Sequence, residues 1–236
     1  MLMQRNAVVL LSGGLDSTTV CAMACHENRR VFALSFDYNQ RHRVELQAAR
    51  EAAKAFQVAE HLVLPIDLSL FGGSSLTDPN LPVERTVPLE EIGRHIPSSY
   101  VPARNTVFLS LALAFAETRN AEEIWIGVNR IDYSGYPDCR PEFIAAFENL
   151  ANLATKAAVE NGTRFSIVTP LLDLTKGEII RRGIELGVDY STTRTCYSPD
   201  QQGRACGVCE SCLLRLAGFR DAGLTDPAPY ANDPLV

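Results

Sequence analysis

Val8-Val9-Leu10-Leu11-Ser12-Gly13-Gly14-Leu15-Asp16-Ser17 is the stretch that decides the fold. Its first four residues are a continuous apolar run, the pattern of a strand buried on both faces. Gly13 and Gly14 break the run, and Asp16 to Cys25 then reads as a helix rich in small residues. Strand, glycine turn and helix in that order set backbone N–H groups at a helix N-terminus. Such a terminus binds anions by direct hydrogen bonds and through the helix dipole. The glycines let successive amides turn inward as an anion nest, and Ser12 and Ser17 add hydroxyl donors. Asp16 beside a phosphate is repulsive alone, which points to a bridging Mg²⁺. The loop is not a Walker A sequence, since no lysine occurs before Lys54, and it does not follow G-x-G-x-x-G. A plain strand-to-helix turn also uses two glycines; the position directly after the first strand favours ATP binding.

Outward from this loop the alternation continues. Val31–Phe36 and Leu62–Leu64 read as strands, with a helix over Val44–Phe56 whose Leu46, Ala49, Ala53 and Phe56 recur every three or four residues. After the middle of the chain, Val107–Glu117 reads as a helix and Glu123–Val128 as a strand. Pro141 opens a long helix with Phe143, Phe147, Leu150 and Ala154 on one face, stopped by Gly162. Phe165–Val168 gives a last strand and Lys176–Leu186 another helix. The pattern predicts an α/β fold, a parallel five-stranded sheet with helices on both faces, followed by a small C-terminal zinc-binding helical subdomain. The expected division is 1–188 and 189–236. From Pro65 to Pro102, both included, there are six prolines, with Gly72-Gly73-Ser74-Ser75 among them. So long an irregular stretch is an active-site lid or a disordered insert; its run into Arg104-Asn105-Thr106 favours a lid, over 66–103.

In 236 residues, 46% are hydrophobic and 21% charged, ordinary values for a globular protein. The net charge of −6 leaves no surplus to build a basic face, so no nucleic-acid partner is expected. No apolar run is long enough to span a membrane. The five apolar residues from Ala7 to Leu11 lead straight into the loop without a small-residue cleavage site, so they read as a strand and not as a signal sequence. A cytoplasmic location follows as the expectation, and there thiols stay reduced.

Seven cysteines in that setting argue for metal or core thiols. Cys196-x9-Cys206-x2-Cys209-x2-Cys212 has the spacing for tetrahedral zinc, and four protein ligands leave no open position, so one structural zinc ion is expected. An iron–sulfur cluster is the competing occupant. Cys21, Cys25 and Cys139 read as packing thiols.

Ser12–Ser17 resembles the PP-loop of the ATP pyrophosphatase superfamily, which holds the β and γ phosphates of ATP while the α phosphate is attacked, so that AMP and pyrophosphate leave. Together with the cysteine cluster it resembles the 7-cyano-7-deazaguanine synthase family of queuosine precursor biosynthesis. The likeness extends over Leu11–Thr19, Phe36-Asp-Tyr-Asn-Gln-Arg-His42, Tyr100-Val-Pro-Ala-Arg-Asn-Thr106, Gly127-Val-Asn129, Asp132–Arg140 and Ala205–Arg215. Asn39 stands where glycine is expected, and Thr195 where serine is expected.

The resemblance implies an adenine nucleotide alpha hydrolase-like, Rossmann-like fold. It also implies ATP-dependent conversion of 7-carboxy-7-deazaguanine and ammonia to the 7-cyano compound. ATP then rests on Leu11, Ser12, Gly13, Gly14, Leu15, Asp16, Ser17, Thr18 and Gly127. Tyr38, Gln40 and Arg41 follow the second strand at the carboxyl edge of the sheet and are assigned to the nucleotide; otherwise Arg41 and His42 are a solvated helix start. Asp16, Ser17 and Arg104 are the candidate catalytic residues. Arg104 and Asn105, just ahead of a helix, suit the substrate carboxylate or the α phosphate, against a surface salt bridge as the plain alternative. Asp132, Tyr133, Tyr136 and Asp138 are the candidates for reading the deazaguanine ring, by carboxylate pairing and stacking. The alternative for Asp138 is capping of the helix at Pro141. A homodimer is suggested by the resemblance alone. Two other readings stay open: a PP-loop tRNA-modifying enzyme, and a zinc-containing nucleotide-binding regulator.

Overall fold

A computed structural model describes residues 4–86, 88–129 and 136–232. Five parallel strands form one sheet in the order β3-β2-β1-β4-β5. They are β1 (Asn6–Leu10), β2 (Arg30–Asp37), β3 (Glu60–Pro65), β4 (Glu123–Trp125) and β5 (Ser166–Val168). Val8 sits opposite Phe32 on one side and Ile124 on the other. Because strand side chains alternate, the apolar run of β1 feeds two cores. Ala7, Val9 and Leu11 pack with Ala33 and Trp125 beneath helices α1 (Leu15–His26), α2 (Glu45–Ala55) and α6 (Lys176–Glu185). Val8 and Leu10 pack with Phe32, Leu34 and Ile124 against α3 (Arg104–Thr118) and α4 (Pro141–Ala154). Each fully buried Leu, Ile or Phe in these layers contributes about 1.5–3 kcal/mol, which is why uninterrupted apolar strands specify a sheet covered twice.

Several expected elements differ. The single helix from Pro141 to Gly162 is two, because Thr155 is extended (φ −108°, ψ 146°) and caps α5 (Lys156–Asn161) by accepting the Ala158 N–H. The buried stripe of α4 is Ile144, Phe147 and Ala151, while Leu150 is 49% exposed. Asn152 fixes that roll by exchanging two hydrogen bonds with the Phe165 backbone, both 2.9 Å. Helix α3 starts at Arg104, three residues before the expected Val107, because Asp138 reaches across from another segment and its Oδ2 accepts the Asn105 N–H at 2.9 Å. The chain enters this helix through Ala103 in the left-handed region (φ 54°).

The 65–102 stretch holds short 3-10 turns and little other regular structure, yet Ser74, Ser75 and Leu76 are fully buried. Thr86 donates to Val208 O, which ties the stretch to the cysteine-rich tail. That tail adds α7 (Glu210–Asp221), and its Phe219 joins Tyr190 inside the core layer of α1 and α6. The core is therefore continuous across 188/189. Tyr190 Oη lies 2.8 Å from Thr19 Oγ1 and also donates to Ile179 O. Gly183 makes room for it, since a Cβ there would overlap the tyrosine hydroxyl. Gly183→Ala is predicted to lower stability by about 1–3 kcal/mol in urea denaturation, the usual cost of overpacking; no loss would mean the tyrosine is free to move aside.

Candidate active site

The chain runs from β1 outward to β2 and β3, then crosses back to β4 and β5, so the strand order reverses between β1 and β4. Ligands of open α/β sheets bind at such a switch point, beyond the carboxyl ends of the strands. A cavity of about 240 Å³ opens there, walled by the ends of β1 and β2, by Ile126–Val128 and by the first turns of α1 and α3.

The glycine loop forms one wall. Ser12 and Ser17 hydroxyls are 2.9 Å apart, the Ser12 N–H donates to Ser17 Oγ, and the Gly14 N–H donates to Ser12 Oγ. The loop is thereby held open above the first-turn N–H groups of α1, which a helix cannot satisfy internally. Its glycines differ. Gly13 has φ +82°, and a Cβ on it would overlap the backbone of α2 at Glu45 and Ala49. Gly14 has φ −78°, and a Cβ on it would meet nothing nearer than Ser12 Oγ at 3.4 Å.

Asp16 does not stand alone. Lys176, the first residue of α6, donates to both carboxylate oxygens at 2.9 Å. Arg194 also lines the cavity; its N–H donates to Gly13 O at 2.9 Å and its guanidinium to Ser191 O and Thr193 O. Neither residue was singled out from the sequence. Lys176 was visible only as a helix start, 160 positions away from its partner.

The opposite wall is aromatic and cationic. Phe36 stacks on Phe108 at 3.9 Å, and Tyr38 meets the same ring edge-on at 5.5 Å. The Arg104 guanidinium lies 5.8 Å from the Tyr136 ring centroid. Burial would lower its pKa, but the oxygens of Tyr38, Tyr136 and Asp138 outweigh that and raise it. Among the described residues no carboxylate lies within ion-pair distance of this guanidinium. Cys139 lies on the same wall, its thiol pushed up to about 12 by burial and then by the Asp138 charge; it is a packing thiol, poorly suited to nucleophilic attack.

Of the nucleotide-loop candidates, Leu11, Ser12, Gly14, Leu15, Asp16, Ser17 and Gly127 line the cavity together with Tyr38, Arg104 and Asn105. Gly13 and Thr18 lie behind the lining. Gln40 and Arg41 are engaged elsewhere: Gln40 is buried and bonds Phe36 O, Glu45 Oε1 and the Tyr38 N–H, while Arg41 donates to Ser75 O and Leu81 O. The lining position next to them belongs to His42, with Glu45. Tyr136 is buried with its hydroxyl 2.9 Å from Ser99 Oγ, and Asp138 caps α3, not the helix at Pro141; neither lines the cavity. Asp132 and Tyr133 lie outside the described residues.

Behind the cavity, Cys196, Cys206, Cys209 and Cys212 bring their sulfurs within 4.8 Å of one another. Ser198 and Cys206 N–H groups point at Cys196 Sγ and the Cys209 N–H at Cys206 Sγ, at 3.2–3.3 Å. Such donors favour thiolates, so the cluster is fit for a metal ion. Buried Arg215 of α7 supports it with a bidentate pair to Asp226 and bonds to Thr193, Thr195 and Tyr190.

The profile of the family described as queuosine biosynthesis protein QueC matches residues 6–223. The 7-cyano-7-deazaguanine synthase of Paramagnetospirillum magneticum is 60% identical over 228 residues, 97% of this chain and 100% of that one. That of Syntrophobacter fumaroxidans is 57% identical over 230 residues, 98% of each chain. Among solved structures, a predicted subunit of tRNA methyltransferase from Methanocaldococcus jannaschii superposes with a TM-score of 0.49 at 17% identity, over 77% of this chain and 76% of that one. At that level nothing about activity transfers.

The two loop glycines give a direct test of this geometry. Gly13→Ala is predicted to destabilise by about 2–3 kcal/mol, through a positive φ and a backbone collision, and Gly14→Ala by less than about 1 kcal/mol. Equal losses in urea melts would contradict the close approach of α2.

Proposed function

The chain belongs to the QueC family of queuosine biosynthesis proteins, and we propose that it converts 7-carboxy-7-deazaguanine, ammonia and ATP into 7-cyano-7-deazaguanine. The observation that carries this reading is the convergence on one cavity of the glycine loop and of Arg104, which has no carboxylate partner among the described residues, in a chain 60% identical to a protein of that name. A carboxylate is a poor electrophile, because its charge repels nucleophiles and oxide is a poor leaving group. Transfer of AMP to it removes both obstacles. Ammonia then displaces AMP to give an amide, whose oxygen takes AMP a second time and leaves with it to give the nitrile. One loop serves both activations.

In this reading the amides of Gly14 to Ser17 and the Ser12 and Ser17 hydroxyls hold the departing pyrophosphate. The Tyr38 and Phe108 rings provide flat walls for a heterocycle. Arg104 meets the substrate carboxylate or the α phosphate, where charge develops in the transition state. Asn105 orders the turn from which Arg104 projects. Asp132 and Tyr133 remain the proposed readers of the deazaguanine edge, while Tyr136 and Asp138 support the Arg104–Asn105 turn from behind the lining. Lys176 donates to both Asp16 oxygens and answers part of that charge; Mg²⁺ would enter with ATP, with Asp16 as the residue placed to meet it.

Cys196, Cys206, Cys209 and Cys212 would hold one structural Zn²⁺, which supplies fixed geometry to the 194–212 segment and no chemistry at the cavity. Among the described residues no helix is long and apolar enough to cross a membrane, and reduced thiols for the metal accord with a cytoplasmic setting.

The test is incubation of metal-replete protein with ATP, ammonium and 7-carboxy-7-deazaguanine, with products followed by mass spectrometry. Nitrile with AMP and pyrophosphate is the expected result; ADP and phosphate, or AMP without nitrile, would refute the reading. Elemental analysis is expected to give about one zinc per chain, and Cys209→Ser is expected to lose that zinc and lower the melting temperature.

A further inference from the structure

One pair of titratable side chains on the cavity wall is used by nothing so far. His42, just ahead of α2, is 5% exposed and lines the cavity beside Glu45. Its Nε2 lies 3.2 Å from Glu45 Oε2. The other carboxylate oxygen accepts from Gln40 Nε2 at 2.8 Å, and Gln40 is itself fixed by the Tyr38 N–H and Phe36 O. The carboxylate is therefore locked, and it locks the ring. A carboxylate has no hydrogen to give, so any hydrogen in this contact sits on Nε2, and Nδ1 is then the nitrogen left to take up a proton. Nδ1 is buried and has no hydrogen-bond partner among the described residues. The Tyr197 ring packs at 5.9 Å on the same histidine. A buried polar atom without a partner costs free energy, and a histidine beside a carboxylate on the cavity wall is placed to take up a proton released there.

Given the reaction read above, on which this step rests, the chemistry supplies such groups. Ammonia brings three N–H bonds and the nitrile keeps none. In the first step the C–N bond forms, the C–O bond to AMP breaks, and one proton must leave nitrogen. In the second, the amide oxygen bonds to the α phosphorus, pyrophosphate leaves and an N–H proton is lost. In the third, the last N–H proton is removed as the C–O bond to AMP breaks and the nitrile forms. Adenylylation of the carboxylate, by contrast, removes no proton from nitrogen. We propose that His42, oriented by Glu45 and Gln40, is the proton acceptor for the nitrogen during amide and nitrile formation.

The test runs the zinc-loaded parent and His42→Gln through two assays. One is exchange of labelled pyrophosphate into ATP with 7-carboxy-7-deazaguanine and no ammonium; the other is nitrile formation with ammonium. Exchange is expected to stay within about threefold of the parent while nitrile formation falls about 100-fold, the usual worth of general-base assistance. Equal loss in both assays, or nitrile formation within about threefold of the parent, overturns the assignment. Glu45→Gln keeps the shape of the dyad and covers the case in which His42→Gln does not fold; about a tenfold fall in nitrile formation with exchange preserved is expected, and the same two outcomes count against it. A parent that makes no nitrile overturns the reaction and this step together, whereas a normal parent with a normal variant overturns this step alone.

Discussion

The backbone of α2 passes so close to Gly13 that no side chain fits between them, and the rest of the site is arranged around that contact. It sets Glu45, the first residue of α2, against the glycine loop, and so brings His42 and Glu45 onto the cavity wall. The carbonyl of the same glycine accepts the Arg194 N–H, which attaches the segment leading to Cys196. One residue without a Cβ thus joins the sheet, a helix and the cysteine-rich tail at a single point. A positive φ supplies the turn, and the absent side chain supplies the space.

From that point the tail is tied to the sheet by buried polar contacts. Arg215 binds Asp226 in a bidentate pair and reaches the 190–195 segment through three further hydrogen bonds. Tyr190 carries the connection to Thr19 of α1. A buried ion pair of this kind adds little net stability but is costly to break on one side, so its effect is to fix one arrangement of α7 and the cysteines over the loop. The 65–102 stretch joins the same assembly through Arg41, Ser75 and Thr86. The cysteine cluster and the cavity are therefore neighbours in one packed unit.

What the sequence disclosed, and what it did not, follows from the range of the interactions. The two-sided sheet was legible because apolar runs such as Val8–Leu11 report burial directly. The glycine loop and the four cysteines were legible because their residues are close in sequence and their spacing is the geometry. The start of α3 was not, since its cap comes from Asp138, 33 positions away. Nor were Lys176 and Arg194, whose partners are Asp16 and Gly13. The break at Thr155 was missed because a threonine can either continue a helix or cap the next one, and only the packing of Asn152 on the last strand decides. In Phe36–His42, Gln40 is buried beneath the segment and Arg41 is exposed and bonded to the Ser75 and Leu81 carbonyls, while His42 lines the cavity. Neighbouring polar residues at a helix start carry no signal of which one points where.

The central claim is that one loop activates both oxygens of one carboxylate by transfer of AMP. It is tested most directly with 7-carboxy-7-deazaguanine carrying ¹⁸O in both carboxylate positions, run to completion with ATP and ammonium, with AMP and pyrophosphate analysed by mass spectrometry. The account predicts two molecules of AMP for each nitrile, each carrying one ¹⁸O, and unlabelled pyrophosphate. Label in pyrophosphate or inorganic phosphate, or AMP without label, would contradict it.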